Sequence, residues 1–139
     1  MIVLDTDVVS ELMKDSLSLE VEAWVRAREP DELFTTSVTL AEVLYGIERL
    51  PNGRRKDQLS ARASYVFETF RSQVLPFDAG AAEFYPSIVD GRDRQGRPID
   101  GFDAQIASIC RSRDATLATR NTKDFAHTGV DLIDPWAPA

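Results

Sequence analysis

Residues 1–12, MIVLDTDVVSEL, place a short apolar segment directly before two carboxylates, and this arrangement decides the fold. Residues 2–5 predict a short buried strand, and residues 8–13 predict a helical turn that follows it at once. Asp5 then closes the first strand. In an open parallel sheet this is the end at which ligands bind, so Asp5 is either a strand tip in solvent or the start of a site.

The rest of the chain repeats the alternation of short strands and helices. β-Branched and apolar runs predict the strands, and apolar residues at helical spacing predict the helices. Residues 91–98, GRDRQGRP, are predicted to form an exposed basic loop. The alternation favours an α/β sandwich around a parallel sheet, formed by one domain over residues 1–139. Further strands are predicted at 33–38, 74–77, 115–119 and 131–134, and helices at 17–29, 39–50, 57–72, 79–90 and 100–113.

The composition excludes some classes of protein. The net charge of −7, from 23 acidic and 16 basic residues, disfavours a passive nucleic-acid coat but not an enzyme that gathers acids around cations. No apolar run approaches the roughly 18 residues that a membrane helix needs. The N-terminus lacks the basic region and long apolar stretch of a secretory signal. The single cysteine, Cys110, cannot form an internal disulfide. We therefore expect a cytoplasmic protein.

Four acidic residues follow predicted strands or lie in the first turn of a predicted helix. They are Asp5, Glu42, Asp103 and Asp124. Several carboxylates buried together are costly unless protons or a cation compensate their charge. Oxygen ligands favour Mg²⁺ or Mn²⁺, and the single His127 cannot build a zinc site with one cysteine. The pattern predicts a divalent-metal site at one edge of the sheet.

Each of these acids also has a structural explanation. Thr39 and Glu42 match a capping box, and Glu42 lies opposite the apolar stripe of its helix, which predicts an exposed side chain. Asp100 and Asp103 suit a helix N-terminus, and Asp124 suits a turn. Asp103 is the hardest to explain in this way, because it shares one helix face with the apolar residues that follow at i+3, i+4 and i+7.

Four segments together resemble a known family. They are VLDTDVVSEL, SVTLAEVLYGIERLP, GRPIDGFDAQIASIC and LATRNTKDFAHTGVDLIDPW, in this order. They resemble the PIN-domain ribonucleases, in particular VapC-type toxins of the FitB-like branch from bacterial toxin–antitoxin pairs. The resemblance implies a three-layer, Rossmann-like α/β/α sandwich and an Mg²⁺- or Mn²⁺-dependent endoribonuclease that leaves a 5′-phosphate and a 3′-hydroxyl. It also implies a homodimer and a VapB-like antitoxin that covers the site.

The resemblance carries roles to individual residues. Asp7 departs from the family pattern, in which Asn is usual at this position. The fourth acidic position is open between Asn121, which stands where many relatives have an acid, and Asp124 nearby. The implied residues are the metal ligands Asp5, Glu42 and Asp103, the further catalytic acid Asp124, and the supporting residues Thr6, Ser37 and Asn121.

An acidic nuclease still has to attract RNA, and two basic segments are candidates for this. Arg92, Arg94 and Arg97 run directly into the helix that carries Asp103, and they could guide the phosphate backbone. Residues 53–56, GRRK, are a second candidate. Solvated surface loops would show the same charge runs.

Two other functions fit parts of the sequence. Residues 5–9, DTDVV, match the opening motif of haloacid-dehalogenase-like phosphatases, with Asp5 as nucleophile and Asp7 as general acid. An Asp7→Asn variant would abolish such a phosphatase and spare a PIN nuclease. A non-catalytic PIN interaction domain is the third possibility.

Overall fold

Five short parallel strands form the centre of the protein. A computed structural model describes residues 1–138. The strands lie in the order β3-β2-β1-β4-β5, so the first strand is central. Each neighbouring pair is parallel. Their carboxyl ends therefore lie at the same edge of the sheet. The bounds are β1 Ile2–Leu4, β2 Leu33–Thr36, β3 Val74–Leu75, β4 Thr116–Ala118 and β5 Leu132–Ile133.

Helices cover both faces of this sheet. Val3 and Leu4 are successive residues of β1, and both are fully buried in different clusters. Because successive side chains of a strand point to opposite faces, the two clusters lie on either side of the sheet. This arrangement confirms the predicted three-layer α/β sandwich. The helices are α1 Thr6–Leu12, α2 Leu19–Arg26, α3 Ser37–Glu48, α4 Arg54–Phe70, α5 Ala79–Ala82, α6 Tyr85–Arg94 and α7 Gly101–Ser112.

The strand predicted over residues 33–38 ends earlier than expected. The Thr36 hydroxyl accepts a hydrogen bond from the amide of Thr39 at 3.1 Å, which makes Thr36 the N-cap of α3. Thr39 is buried inside that helix. The predicted capping box of Thr39 and Glu42 is therefore wrong, and the Glu42 carboxylate is left for other partners.

The predicted exposed loop over residues 91–98 is confirmed for residues 95–98 and wrong for residues 91–94. Helix α6 continues to Arg94, and Arg92 is only 5% exposed. Its guanidinium donates to the carbonyl of Arg97 at 2.6 Å, and to the carbonyls of Asp124 at 2.7 Å and Ala126 at 2.9 Å. A guanidinium used in this way is not available to substrate, so the expectation that Arg92 binds RNA is wrong. Arg92 instead ties α6 to the chain that carries Asp124.

The single cysteine lies in the core and the single histidine lies at the surface. Cys110 is fully buried, and burial raises the pKa of its thiol. His127 is exposed in the left-handed region at φ 61°. Over residues 1–138, none of the helices is long and apolar enough to cross a membrane.

Candidate active site

Asp5 is a buried carboxylate held at the end of the central strand. Its Oδ1 accepts a hydrogen bond from the Thr6 amide at 2.8 Å, which makes Asp5 the N-cap of α1. Its Oδ2 accepts from the Thr119 hydroxyl, also at 2.8 Å. Asp5 is 5% exposed and Thr119 is fully buried. The end of β1 therefore presents a carboxylate of fixed orientation.

Glu42 is brought to the same place by Thr6. The Thr6 hydroxyl donates to Glu42 Oε1 at 2.8 Å and lies 3.2 Å from the Thr39 hydroxyl. Glu42 is half-buried, although periodicity predicts exposure. The apolar stripe expected at Leu40, Val43, Leu44 and Ile47 is confirmed at Val43 and Ile47 and wrong at Leu44, which is 49% exposed. Helix α3 packs through Val38, Thr39, Val43 and Ile47.

Asp103 reaches the sheet edge from the N-terminus of α7. The neighbouring Asp100 serves as the N-cap, since its Oδ2 accepts from the amides of Phe102 at 3.0 Å and Asp103 at 3.3 Å. The Asp103 carboxylate forms no hydrogen bond with residues 1–138 and is half-buried. The face that it shares with Ile106, Ala107 and Cys110 is fully buried, as predicted.

The carboxylates at this edge perturb one another. The pKa of Asp103 is raised to about 7, first by burial and then by repulsion from Asp5, Asp100, Asp124 and Glu42, in that order of importance. Burial and then repulsion from Asp7 raise the pKa of Asp5 to about 6, against the lowering effect of the bonds from Thr119 and Thr6. Uncompensated carboxyl groups within range of one another are typical of a cation site or an acid–base site.

The side chains as they stand do not enclose an ion. Among the described residues, no three Asp, Glu, His or Cys side chains come close enough to hold a metal ion. The donor set nevertheless fits a hard divalent cation, because every candidate ligand is a carboxylate oxygen. A bound cation would also relieve the repulsion that raises the pKa of Asp103. Since the Asp103 carboxylate has no hydrogen-bond partner within residues 1–138, it can reorient without breaking one.

Asp7 and Asn121 form a separate contact beside these carboxylates. Asp7 Oδ2 accepts from the Arg120 amide at 3.1 Å and from Asn121 Nδ2 at 3.2 Å. The other oxygen, Oδ1, is buried without a hydrogen-bond partner among residues 1–138, and burial raises the pKa of Asp7. The contact joins α1 to the chain that leaves β4. Asn121 is thus engaged with Asp7 rather than with Asp5 or Asp103.

The other residues predicted for the site, Asp124, Ser37, Arg94 and Arg97, make few contacts with Asp5, Glu42 and Asp103. Asp124 is exposed on a 3₁₀ turn, Thr122–Phe125, and its charge acts on Asp103. This favours Asp124 over Asn121 for the fourth acidic position. Ser37 opens α3, and its hydroxyl makes no hydrogen bond to the rest of the described chain. Of the basic residues, Arg94 is exposed and pairs with Asp90 at 2.7 Å, and Arg97 is exposed.

Sequence reasoning missed Thr119. This residue directly follows β4, the strand beside β1, and its hydroxyl bonds both Asp5 and the amide of Asn121 at 3.0 Å. Its position is the available signal, because a Thr at the carboxyl end of the strand beside β1 can reach the carboxylate at the end of β1, as Thr6 does.

Comparisons with known proteins agree with this architecture. Residues 2–131 match the family model of the PIN domain. The chain is 35% identical to the VapC ribonuclease Y4jK of Sinorhizobium fredii over the full length of both proteins. It is 31% identical to the toxin FitB of Neisseria gonorrhoeae, over 98% of this chain and 99% of that protein. The structure of FitAB bound to an IR36 DNA fragment superposes with a TM-score of 0.92 at 31% identity, covering 100% of this chain and 98% of the other.

Proposed function

This chain belongs to the PIN-domain family, and on that premise we propose that it is a metal-dependent endoribonuclease, the toxin of a type II toxin–antitoxin pair. One observation carries the proposal. Asp5, Glu42 and Asp124 all repel the charge of Asp103 near the carboxyl end of the central strand, and the pKa values of Asp5 and Asp103 are raised to about 6 and 7. The names of the relatives support RNA as the substrate class.

Asp5 and Asp103 would hold Mg²⁺ or Mn²⁺, with Glu42 as a further ligand or as the group that orients the attacking water. Asp124 would complete the acidic wall. A bound divalent ion supplies two things to phosphodiester hydrolysis: a water of lowered pKa, and neutralisation of charge on the phosphate.

The protein's own contribution is to hold these carboxylates in position. Thr119 and the Thr6 amide orient the two oxygens of Asp5, and the Thr6 hydroxyl orients Glu42 through Oε1. Such supporting hydrogen bonds set the direction in which a carboxylate offers its lone pairs, and their loss typically costs about 10- to 100-fold in metal affinity or activity. Thr6 serves both carboxylates, so it couples their positions.

We also propose the partners that the relatives suggest. A VapB-like antitoxin would cover the acidic pocket, the name used here for the surface formed by Asp5, Glu42, Asp103 and Asp124. The chain would form a homodimer in the cytoplasm. A basic side chain from the antitoxin suits a pocket whose carboxyl groups repel one another. Co-purification of a small protein partner with the chain, and light scattering of the free chain, test these two points.

The central experiment compares cleavage of single-stranded and structured RNA by the wild type, Asp5→Asn and Asp103→Asn during titration with Mg²⁺ and Mn²⁺. We expect both variants to fold and to lose cleavage. Asp93→Asn is the matched control, because Asp93 is exposed at the end of α6, and we expect it to cleave as the wild type does. Full cleavage by Asp5→Asn or Asp103→Asn would overturn the assignment of these acids. Loss of cleavage in the Asp93→Asn control as well would indicate general instability of the variants rather than a role of the site acids.

The sequence also suggested two alternative functions, a phosphatase and a non-catalytic PIN domain. The match to the PIN family over residues 2–131 argues against a haloacid-dehalogenase-like phosphatase. Asp7, the general acid in that scheme, is bound through Oδ2 to the amide of Arg120 and to Asn121. A non-catalytic PIN domain is tested by the same RNA assay, since it would show no metal-dependent cleavage.

A further inference from the structure

A cleft of about 540 Å³ opens beside Glu42. It runs between α1, α3 and the first half of α4. Thr6 and Glu42 line one end of it, and these are the residues linked by the 2.8 Å hydrogen bond in the acidic pocket. The cleft is therefore continuous with the candidate active site, and a chain lying in it would pass directly over Glu42.

The charge of this cleft differs from that of the whole protein. Three basic side chains and two acidic ones line it, although the chain carries a net charge of −7. The basic residues are Lys14, Arg55 and Arg62, and the acidic ones are Asp15 and Glu42.

Two of the three basic side chains are already paired. Lys14 bonds Glu11 at 2.9 Å, and Arg62 bonds Asp15 and the carbonyl of Met13. Arg55 is exposed and forms no ion pair or side-chain hydrogen bond with any residue from 1 to 138. A cation in the first turn of a helix also opposes the helix dipole. Arg55 therefore contributes nothing visible to the stability of α4, and its charge is available to a ligand.

The rest of the cleft lining is uncharged. Its floor is apolar, from Met13, Val43, Ile47, Leu50 and Leu59. None of the described residues that line it is aromatic, so base stacking would not supply the affinity. Its volume of about 540 Å³ lies within the range of about 300–1,000 Å³ that is typical of ligand pockets.

We propose that this cleft binds the backbone of single-stranded RNA, with Arg55 contacting a phosphate and directing the strand across Glu42 into the acidic pocket. The proposal rests on the proposed ribonuclease function and adds the path of the substrate. It replaces the basic segment at residues 91–98 with the start of α4 as the principal electrostatic guide. Of the residues in the GRRK segment, only Arg55 lines the cleft.

The test is a binding measurement that does not depend on cleavage. Fluorescence anisotropy follows a labelled single-stranded RNA oligonucleotide in EDTA, for the wild type, Arg55→Ala, Arg55→Glu and Arg54→Glu, at several KCl concentrations. Arg54 is the matched control. It is the adjacent exposed residue in the same helical turn, it lies outside the cleft, and a Glu there suits the helix dipole as well as a Glu at 55 does.

We expect Arg55→Ala to reduce the slope of log K against log salt by about 0.7, the value for one phosphate contact of a single strand. We expect Arg55→Glu to weaken binding by about tenfold or more at low salt, and Arg54→Glu to change it by less than about twofold.

Equal affinity of Arg55→Glu and the wild type would overturn the inference, and would leave the cleft as a surface for a protein partner. Equal losses in Arg54→Glu and Arg55→Glu would also overturn it, because they would indicate general charge attraction. So would an absence of measurable binding by the wild type. Failure of the proposed nuclease function is distinguishable, since it shows as intact RNA when Mg²⁺ or Mn²⁺ replaces EDTA, whatever the binding data.

Discussion

Replacing Asp103 by Asn should stabilise the metal-free protein while abolishing cleavage. The pKa of Asp103 is raised from 3.8 to about 7, first by burial and then by repulsion from Asp5 and the other carboxyl groups. The folded chain therefore keeps this proton over a pH range in which the unfolded chain has released it. The resulting cost to stability grows as pH rises from about 4, and it is complete above about 7. Asn carries no charge and avoids this cost.

The size of the effect follows from the same pKa values. The full difference corresponds to about 4 kcal/mol in the free energy of unfolding. Asp103 is half-buried, so solvent screening reduces this to about 2 kcal/mol at pH 8. For a domain of this length, that raises Tm by about 5–8 °C. At pH 5.5, about halfway through the titration range, we expect about half of the gain.

Thermal unfolding in EDTA at pH 5.5 and pH 8 measures the effect, with Asp93→Asn as the exposed control. Added Mg²⁺ should raise the Tm of the wild type more than that of Asp103→Asn, because binding to the folded state stabilises it. The reasoning is refuted if Asp103→Asn melts at or below the wild type in EDTA at pH 8. A gain of the same size at both pH values would show that packing, not charge, is responsible.

Three further variants test individual contacts. Thr119→Val removes the donor to Asp5 Oδ2, so we expect RNA cleavage to fall by about 10- to 100-fold and the Mg²⁺ requirement to rise, and unchanged metal titrations would contradict this role. Arg92→Met leaves three backbone carbonyls without their donor, so urea unfolding should show a loss of about 3 kcal/mol, whereas a variant as stable as wild type would mean that water replaces the guanidinium. Asp7→Asn removes a charge that raises the pKa of Asp5, so cleavage should persist and its pH profile should move to lower pH; complete loss of hydrolysis would favour the phosphatase scheme.

The fold could be predicted from local patterns because strand, helix and loop signals agreed along most of the chain. Alternation of short apolar strands with helices predicted the parallel sheet, and Asp5 was correctly placed at the end of β1. The geometry of parallel sheets then brought Asp5, Glu42 and Asp124 within electrostatic range of Asp103, as expected from their positions after strands or in first turns.

Three local inferences failed, and for Glu42 and Arg92 the reason is a long-range contact that overrode a local preference. Glu42 was expected to face solvent, but Thr6 binds it from another helix. Thr39 was expected to cap α3, but Thr36 at the end of β2 does so. Arg92 was expected in a solvated loop, but carbonyls from distant turns satisfy its charge inside the protein. Its spacing of four residues from the buried Ile88 was the available signal.

The amino-acid sequence by itself determined the order of the strands and helices and the chemical type of the site, because both depend on residue type and spacing. Only the tertiary structure decided which groups hold the carboxylates and which cation faces the cleft. Thr119 lies 114 residues from Asp5, and their hydrogen bond exists only because β4 pairs with β1. Arg54 and Arg55 are adjacent and chemically identical, and the orientation of α4 against α3 alone brings Arg55 to the cleft.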